Sequence, residues 1–378
     1  MASIAKRPDG QWRARYRDAA GKEHSKHFDR KTDAQRWLDE VTAAIVTGQY
    51  VDPRSGRITF REYAERWRAT QVHRLTTQDY IEGNLSRNAY PVLGDKPLSS
   101  IRPSEVQAWV KGMTDRLAPS TVGVVHGVVS GIFRAAVRDR LIVANPCDGT
   151  RLPKTTPSRV EPLPVETVHA LADAVPARYR ALVILAAGSG MRQGECLGLT
   201  VDRLDFLRRV VHVDRQLVTV TGRPSFLIAP KTAASVRTIP LPQVVLDAVA
   251  AHLGAFPPLG DGFVFVTDAR NPIRRTAFGD VWRAAVKAAG APAGTGFHEL
   301  RHFYASLLIR HSESVKTVQA RLGHASASET LDTYSHLWPD SDDRTRTAVD
   351  SVLSADYVRT HDFRLRPRDC ADWIGMLL

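Results

Sequence analysis

Residues 297–302 read Phe-His-Glu-Leu-Arg-His, and the apolar run Phe-Tyr-Ala-Ser-Leu-Leu-Ile continues them to residue 309. This pattern predicts a helix that begins with polar residues and then becomes apolar. His298 and Arg301 are three residues apart, so they share one face of the helix. His302 is interpreted as structural, because it lies one step off the face that His298 and Arg301 share. An isolated HxxR pattern also occurs by chance, so the polar residues in the neighbouring segments decide what this helix does.

Four neighbouring segments carry polar residues where secondary-structure propensity does not favour them. They are Gly188–Glu195 with Arg192, Pro230–Thr232 with Lys231, Leu322–His324, and Thr330–His336 with Tyr334. Each has an ordinary explanation: an Arg192–Glu195 surface pair, an exposed lysine, a histidine at a helix end and a core tyrosine. His336 either polarises Tyr334 or has a solvated or structural role. The occurrence of all these residues in one region favours a common site.

This set of two arginines, a lysine, two histidines and a tyrosine suits attack by an oxygen nucleophile on a phosphodiester. Negative charge grows on the non-bridging oxygens in the transition state, and fixed cations stabilise it. Arginine is suited to this because its planar fork binds two oxygens and stays protonated. A tyrosine phenol, with a pKa of about 10, needs such cations to act as a nucleophile. The pattern contains no carboxylate cluster of the metal-binding kind, so neither a metal nor another cofactor is expected.

The motifs G-M-R-Q-G-E, P-K-T-x-x-S-x-R-T-I-P (expected to form a hairpin), H-E-L-R-H, L-G-H and T-x-x-T-Y-S-H resemble, in this order, those of the tyrosine recombinase family. The resemblance covers roughly residues 160–345 and is specific as a set. One departure is that His311-Ser312 follows Arg310, where the family usually has a glycine. The upstream regions resemble the arm-binding and core-binding modules of phage integrases that bind two kinds of DNA site.

The resemblance implies a site-specific recombinase that cleaves DNA through a 3′-phosphotyrosine. Its motif positions imply the following roles: Arg192 and Arg301 clamp the scissile phosphate, Lys231 is the general acid, His298 contacts the phosphate or assists proton transfer, His324 occupies the family's His/Trp position, Tyr334 is the nucleophile, and Glu195 is supporting. It also implies a homotetramer on core and arm sites of duplex DNA, helped by a host DNA-bending protein and an excision factor.

Composition agrees with a polyanion-binding protein. The 378 residues carry a formal net charge of +12, which favours nucleic acid first and an anionic membrane surface second. No apolar run approaches the roughly 20 residues of a membrane span, and the first ten residues lack a signal-peptide pattern. The three cysteines, Cys147, Cys196 and Cys370, show no metal-binding spacing and favour a reducing compartment. We therefore expect a cytoplasmic protein of a bacterial host, associated with the nucleoid.

The N-terminal region predicts a small sheet followed by a helix. In Gln11–Arg17, Trp12, Ala14 and Tyr16 alternate with Arg13, Arg15 and Arg17, which places apolar and cationic side chains on opposite faces of a strand. A turn at Ala20-Gly21 leads to a second extended run, Lys22–Phe28. Thr32 and Gln35 form a capping-box pattern before a helix that ends near Gly48. The three arginines favour a DNA-facing sheet over a merely solvated one, and the aromatic residues are expected in the core.

Helical spacing predicts a four-helix module next. Its pieces are Phe60–Arg68, opened by a capping box of Thr59 and Glu62, Thr77–Ala89, Pro103–Met113 and Pro119–Arg138. A segment rich in proline and basic residues follows, in which Arg151, Lys154 and Arg159 are candidate DNA contacts. Beyond it, strands are expected at Arg208–Val213, Phe226–Ile228 and Arg237–Leu241.

The predicted fold class is therefore a multidomain α+β protein: a small three-stranded sheet plus helix, a helical bundle, and a mixed, mainly helical catalytic domain. The expected divisions are residues 1–50 for arm binding, 58–147 for core binding, 148–164 as a basic linker, 165–345 as the catalytic domain, and 346–378 as a protomer-exchange helix and tail. Two alternatives are a type IB topoisomerase-like enzyme and a non-catalytic DNA-binding regulator with this fold. The sequence leaves open the attachment sites, the overlap length, the direction of recombination and the kind of mobile element.

Overall fold

The computed structural model describes residues 2–18, 21–47, 50–52, 55–155, 159–258, 262–338 and 342–360. The chain divides into two compact units, residues 1–157 with 219–224, and residues 158–218 with 225–378. Cys370 and the apolar C-terminal end fall outside the described residues. The architecture is the expected mixture of a small sheet, a helical bundle and a mainly helical third region.

The N-terminal sheet consists of three antiparallel strands in chain order. They are β1 (Ser3–Lys6), β2 (Trp12–Arg17) and β3 (Glu23–Phe28), and helix α1 (Lys31–Val46) follows. The alternation in β2 has the expected effect, since Ala14 and Tyr16 are buried with Ala34 and Leu38 of α1. The arginines of β2 consequently lie on the other face of the strand.

The capping box predicted for α1 is wrong. The helix begins at Lys31, its N-cap is Arg30, and no side chain caps it. Gln35 instead donates from Nε2 to Oδ1 of Asp39, one turn further along (2.9 Å). Thr32 therefore lies inside the first turn, where its hydroxyl does not occupy the N-cap position.

A helical bundle forms the next region. Its elements are α2 (Phe60–Thr70), α3 (Leu75–Asn84) with a π-helical turn over Leu85–Ala89, α4 (Tyr90–Leu93), α5 (Pro103–Thr114) and α6 (Pro119–Arg138). The capping box of Thr59 and Glu62 is confirmed, and Pro103 and Pro119 occupy the first turns of their helices as predicted. The apolar stripe of α6 packs with Phe60 in the bundle core.

Among the residues that the structure describes, one helix, α6, is long and apolar enough by length and composition to cross a membrane, which was not expected from the sequence. In the structure its stripe of Val122, Val125, Val129, Ile132 and Phe133 is buried among the other bundle helices. Burial in a protein core accounts for its composition.

The second unit combines nine helices with short strands among the described residues. They are α7 (Val165–Ala174), α8 (Ala177–Ser189), α9 (Gln193–Leu197), β4 (Leu204–Asp205), β5 (Val210–Val213), β6 (Gln216–Val218), β7 (Phe226–Ile228), β8 (Arg237–Pro240), α10 (Gln243–Ala255), α11 (Arg275–Ala288), α12 (Glu299–Arg310), α13 (Val315–Leu322), α14 (Ala327–Tyr334) and α15 (Asp342–Thr360). Helix α8 packs against α7, α10 and α12 and forms the middle of this unit.

The segment Pro230–Pro240 is not the hairpin that the motif suggested. Strand β7 pairs with β6, whereas β8 pairs with β5 in a separate sheet of order β4-β5-β8. Val211 and Ile239 are opposite each other and fully buried, which fixes β8 to β5. Lys231 therefore lies on a connection between two sheets.

The departure from the family pattern after Arg310 has a simple structural outcome. Helix α12 ends at Arg310 with His311 as its C-cap, and Ser312 adopts the left-handed conformation (φ +64°) that a glycine would adopt more readily. The helix therefore ends in the usual geometry with a residue that is less suited to it.

Candidate active site

Arg301 forms the buried centre of the site. It is 2% exposed, and its Nη1 and Nη2 atoms donate to the backbone carbonyls of Gly190 and Leu322, each at 2.7 Å. Burial and the charges of Arg192 and Arg237 lower its pKa to about 9, so the side chain stays protonated at neutral pH. A guanidinium has five N–H donors, so the two carbonyls leave donors for an anion.

Two left-handed glycines bring polar backbone atoms to Arg301 and Arg192. Gly190 (φ +65°) ends α8, and a Cβ there would lie 2.4 Å from Cδ1 of Tyr304. Gly323 (φ +67°) ends α13, and its carbonyl accepts a hydrogen bond from Nη2 of Arg192 (3.3 Å). Glycine is required at 190 by space and is favoured at both positions by the backbone conformation.

Glu195 joins two arginines in a buried ion-pair network. Its carboxylate accepts hydrogen bonds from the backbone N–H of Arg192 (2.8 Å) and from Nη1 of the same residue (3.1 Å). Arg237 donates to both oxygens, at 3.1 and 2.8 Å. Burial would raise the pKa of Glu195, but the hydrogen bonds and charge of Arg237, with those of Arg192, outweigh it and leave the pKa lowered. The carboxylate is therefore ionised and holds Arg192.

Arg237 is a residue of this network to which the sequence motifs gave no role. Its Nε donates to the carbonyl of Arg321 (2.8 Å) and its Nη1 to that of Ser235 (2.9 Å). It thus ties the turn after Lys231 to Glu195 and to the end of α13. The sequence signal for Arg237 was its place in the P-K-T-x-x-S-x-R motif. An arginine in a predicted strand is ordinarily expected to face solvent, so this position did not indicate a buried role.

Tyr334, at the end of α14, is buried with its hydroxyl bonded to a histidine. The side chain is 1% exposed, and its oxygen lies 2.8 Å from Nδ1 of His302. The ring stacks on His324 with the centroids 6.4 Å apart. Burial raises the pKa of Tyr334 to about 12, although the charge of Arg301 acts in the opposite direction. The phenol is therefore neutral in the free protein.

The histidines occupy three different settings. His324 is buried, and its Nδ1 lies 2.8 Å from Oγ1 of Thr330. Burial and the charge of Arg301 lower its pKa to about 4, so the ring is neutral. His298 precedes α12 and keeps an exposed surface, while desolvation and its cationic neighbours also lower its pKa. His336 lies 2.9 Å from the carbonyl of Val160, which agrees with the structural interpretation of that residue.

His302 does not lie off the face shared by His298 and Arg301. It is four residues after His298, and positions three and four apart on a helix are neighbours. The rings of His298 and His302 are 4.8 Å apart and perpendicular. The interpretation of His302 as lying off this face is therefore wrong, because one residue step was treated as a change of face.

Lys231 lies on an exposed turn, followed by the 3-10 turn Ala233–Ser235. The hydrogen bonds of Arg237 connect that turn to the remaining site.

The structure thus brings Arg192, Glu195, Arg301, His324 and Tyr334 into one network of contacts, with His298 at its edge. The charge of Arg301 acts on Tyr334, and a phenol held near a fixed guanidinium group is suited to attack a phosphodiester whose oxygens occupy the remaining donors.

Comparison with known families matches nearly the whole chain in three parts. Residues 161–340 match the phage integrase family, residues 60–152 the phage integrase central domain, and residues 2–47 the phage integrase N-terminal domain.

The chain belongs to the phage integrase family.

Several named proteins are similar over most of their length. The integrase of prophage phiRv2 of Mycobacterium tuberculosis is 29% identical over 336 residues, covering 85% of this chain and 88% of that protein. A XerC-like tyrosine recombinase of Caldanaerobacter subterraneus is 27% identical over 361 residues, covering 85% and 90%. The integrase of Mycobacterium phage L5 is 27% identical over 312 residues, covering 79% and 83%.

Solved structures share the fold. A Tn1549 transposon integrase in complex with circular intermediate DNA has a TM-score of 0.64 at 22% identity, over 78% of this chain and 99% of that one. A lambda integrase dimer bound to a core site has a TM-score of 0.58 at 20% identity, over 89% and 96%. A lambda integrase tetramer bound to a Holliday junction has a TM-score of 0.57 at 20% identity, over 86% and 96%.

The N-terminal sheet of this integrase carries the predicted cationic row. The side chains of Arg13, Arg15 and Arg17 are about half exposed (41%, 40% and 64%), and each has a nitrogen within 4.0 Å of the carboxylate of Glu23. One carboxylate thus partly neutralises three guanidinium groups on the face predicted to meet DNA.

The basic connecting segment of this integrase is exposed at its three candidate residues, Arg151, Lys154 and Arg159. The backbone of Arg151 is fixed by two hydrogen bonds with the side chain of Gln107, at 2.8 and 3.1 Å. The segment therefore starts from a defined position on α5 while its cationic side chains face solvent.

One group in the described part of this integrase brings metal-type ligand atoms together. Atoms of Asp18, His24 and Asp52 lie within 4.8 Å of one another. Nε2 of His24 is 2.7 Å from Asp18, and the ammonium of Lys22 is 2.8 Å from Asp52. These contacts pair the carboxylates with protein cations or donors, and the group is remote in sequence from the catalytic motifs.

Proposed function

We propose that this integrase is a site-specific DNA recombinase that cleaves and rejoins DNA through a 3′-phosphotyrosine at Tyr334. The observation that supports this most directly is the buried phenol of Tyr334 in the same group of helices as the buried guanidinium of Arg301. Arg192 bonds to the carbonyl of Gly323, one residue beyond the Leu322 carbonyl that Arg301 uses. The two guanidinium groups are thereby held by adjacent peptide units.

In the proposed reaction, Arg192 and Arg301 bind the non-bridging oxygens of the scissile phosphate. The phenol oxygen of Tyr334 forms a bond to phosphorus as the bond to the 5′ oxygen breaks. Negative charge increases on the bound oxygens in the transition state, and arginines already fixed by Glu195 and by backbone carbonyls need little reorganisation to stabilise it. The ester is exchanged and not hydrolysed, so rejoining requires no nucleotide cofactor.

The proton for the departing 5′ oxygen is assigned to Lys231, whose turn is exposed and can approach bound DNA. His298 and His324 are assigned to hydrogen bonding at the phosphate. Their lowered pKa values keep the rings neutral near pH 7, so each offers one N–H donor without adding charge.

We further propose the domain divisions and assembly expected from the sequence. The matches to family models over residues 2–47, 60–152 and 161–340 support an arm-binding, a core-binding and a catalytic domain. The named lambda integrase dimer on a core site and tetramer on a Holliday junction support action as a tetramer on paired duplex sites. An excision factor and a host bending protein would set direction inside the bacterial cell.

A nicked suicide substrate carrying the core site tests the proposal. The chain should form a covalent protein–DNA adduct, because the short strand after the nick diffuses away and prevents religation. Tyr334→Phe should abolish the adduct. Arg192→Ala and Arg301→Ala should reduce its rate at least ~100-fold, the cost of removing one charge-stabilising donor, while DNA binding measured by gel shift persists.

Other outcomes would identify the alternatives. An adduct that survives Tyr334→Phe contradicts the assignment of the nucleophile. DNA binding without any adduct would indicate a non-catalytic regulator. Relaxation of supercoiled DNA lacking paired sites would indicate a topoisomerase-like enzyme.

A further inference from the structure

We propose that His302 is the base that takes the proton of Tyr334 during attack, an inference that rests on the proposed function of the site. The phenol oxygen lies 2.8 Å from Nδ1 of His302, within the distance needed for direct transfer. The family motifs quoted from the sequence assign the second histidine of H-E-L-R-H no role. In this chain that second histidine is His302, and its side chain forms a hydrogen bond with the proposed nucleophile, Tyr334.

The surroundings of His302 favour an unprotonated ring. Burial, followed by the charge of Arg301, lowers its pKa, so the ring is neutral at pH 7. A neutral imidazole has one acceptor nitrogen. In the tautomer that this proposal requires, Nε2 carries the ring proton and Nδ1 of His302 accepts the hydrogen bond that the phenol of Tyr334 donates.

The charged and titratable groups around the pair come from α12, from α14 and from the segment after α13, where the ring of His324 stacks on that of Tyr334. His298 lies at the start of α12 with its ring 4.8 Å from that of His302, and Arg301 is the preceding residue. Glu299 of α12 and Glu329 of α14 act electrostatically on Tyr334 and oppose its ionisation. Arg301 favours the phenolate but disfavours an imidazolium, so phosphate charge that offsets Arg301 makes His302 a stronger base while it weakens the stabilisation of the phenolate.

The proton balance of the step is complete. The Tyr334 oxygen bonds to phosphorus, its proton moves to Nδ1 of His302, and the bond from phosphorus to the 5′ oxygen breaks. The leaving oxygen receives a proton from the general acid assigned to Lys231. In religation the 5′ hydroxyl attacks and gives its proton back to Lys231, and the imidazolium of His302 returns its proton to the departing phenol oxygen. One residue thus serves as base and then as acid at the tyrosine.

The test is His302→Asn in single-turnover cleavage of the nicked substrate by the full chain. The asparagine side chain can still accept a hydrogen bond near the former Nδ1 position but cannot take up a proton. At pH 7 the rate of adduct formation should fall by about 100-fold or more. It should then rise about tenfold per pH unit above pH 7, because the raised pKa of Tyr334, about 12, leaves removal of the phenol proton to hydroxide over that range, while the wild-type rate stays nearly flat. His336→Asn is the matched control, since that histidine bonds the carbonyl of Val160, and its rate should be unchanged.

A second substrate distinguishes a base that acts on Tyr334 from an acid that acts on the 5′ leaving oxygen. Replacing the 5′ leaving oxygen by sulphur removes the need for a general acid, so it should leave the deficit of His302→Asn in place. If the sulphur substrate restored the rate of adduct formation by His302→Asn, His302 would act on the leaving group, and the proposal would be overturned. A deficit of equal size at every pH would mean that His302 only positions Tyr334, and an unchanged rate would also overturn it. If the wild-type chain forms no adduct, the proposed function itself fails.

Discussion

At the scale of single residues, the site depends on charges that are balanced inside the protein before DNA binds. Glu195 is 2% exposed and is shared between Arg192 and Arg237. Removing one member of a buried ion pair leaves an uncompensated charge and typically costs ~3–5 kcal/mol. The carboxylate thus compensates the charge of two neighbouring guanidinium groups inside the protein. It also fixes the orientation of Arg192 through hydrogen bonds to the backbone and to the side chain of that residue.

Glu195→Gln should therefore lower the free energy of unfolding by ~3–5 kcal/mol at pH 7. The pKa of Glu195 is lowered in the folded state, so its contribution is fully present above the ordinary glutamate pKa and is lost as pH falls through the folded-state value. The difference between the two proteins should shrink below about pH 4.3. Urea unfolding at a series of pH values measures it, and a difference that is independent of pH would contradict the ionised role of Glu195.

At the scale of elements, the ends of helices deliver the polar backbone atoms of the site. Helix α13 ends at Gly323 in the left-handed conformation, where a Cβ would lie 3.1 Å from Cδ and Nη1 of Arg237. Gly290, which follows α11, has nearly the same φ (+64°), but a Cβ there would meet nothing within 4 Å. The two glycines share the backbone cost of substitution and differ only in their surroundings.

We expect Gly323→Ala and Gly290→Ala each to lose ~1–2 kcal/mol of stability from the left-handed backbone. Gly323→Ala should in addition displace Arg237 and slow adduct formation, whereas Gly290→Ala should cleave at the wild-type rate. Thermal unfolding and suicide-substrate kinetics of the two variants check this. Equal cleavage rates in both would contradict the role given to the turn at Gly323.

At the scale of the whole molecule, the excess of positive charge is expected to act through DNA phosphates. The chain carries +12, and exposed cations occur both in the N-terminal sheet and in the connecting segment. Each phosphate neutralised by a cation releases counterions, so the affinity falls steeply with salt. We therefore predict that these two sets of cations contribute separately to the salt dependence of DNA affinity.

Replacing Arg151, Lys154 and Arg159 by alanine should weaken binding to core-site duplex and reduce the slope of log K against log salt by ~0.9 for each phosphate that these side chains neutralise. The same change should leave the slope for arm-site DNA unaltered. Replacing Arg13, Arg15 and Arg17 should give the opposite pattern. Fluorescence anisotropy with each duplex over a salt series measures both slopes, and a uniform decrease in affinity for both duplexes would contradict the assignment of the two sets.

The sequence by itself determined the order of the motifs, the alternation in β2, the capping box at Thr59 and the apolar stripe of α6, because these patterns depend on residues a few positions apart. Only the tertiary structure decided the contacts between distant segments. Arg237 meets Glu195 across 42 residues, His302 meets Tyr334 across 32, and Arg301 meets Gly190 across 111. Local periodicity predicts which face a side chain takes, but burial and hydrogen bonding depend on the element that packs against that face.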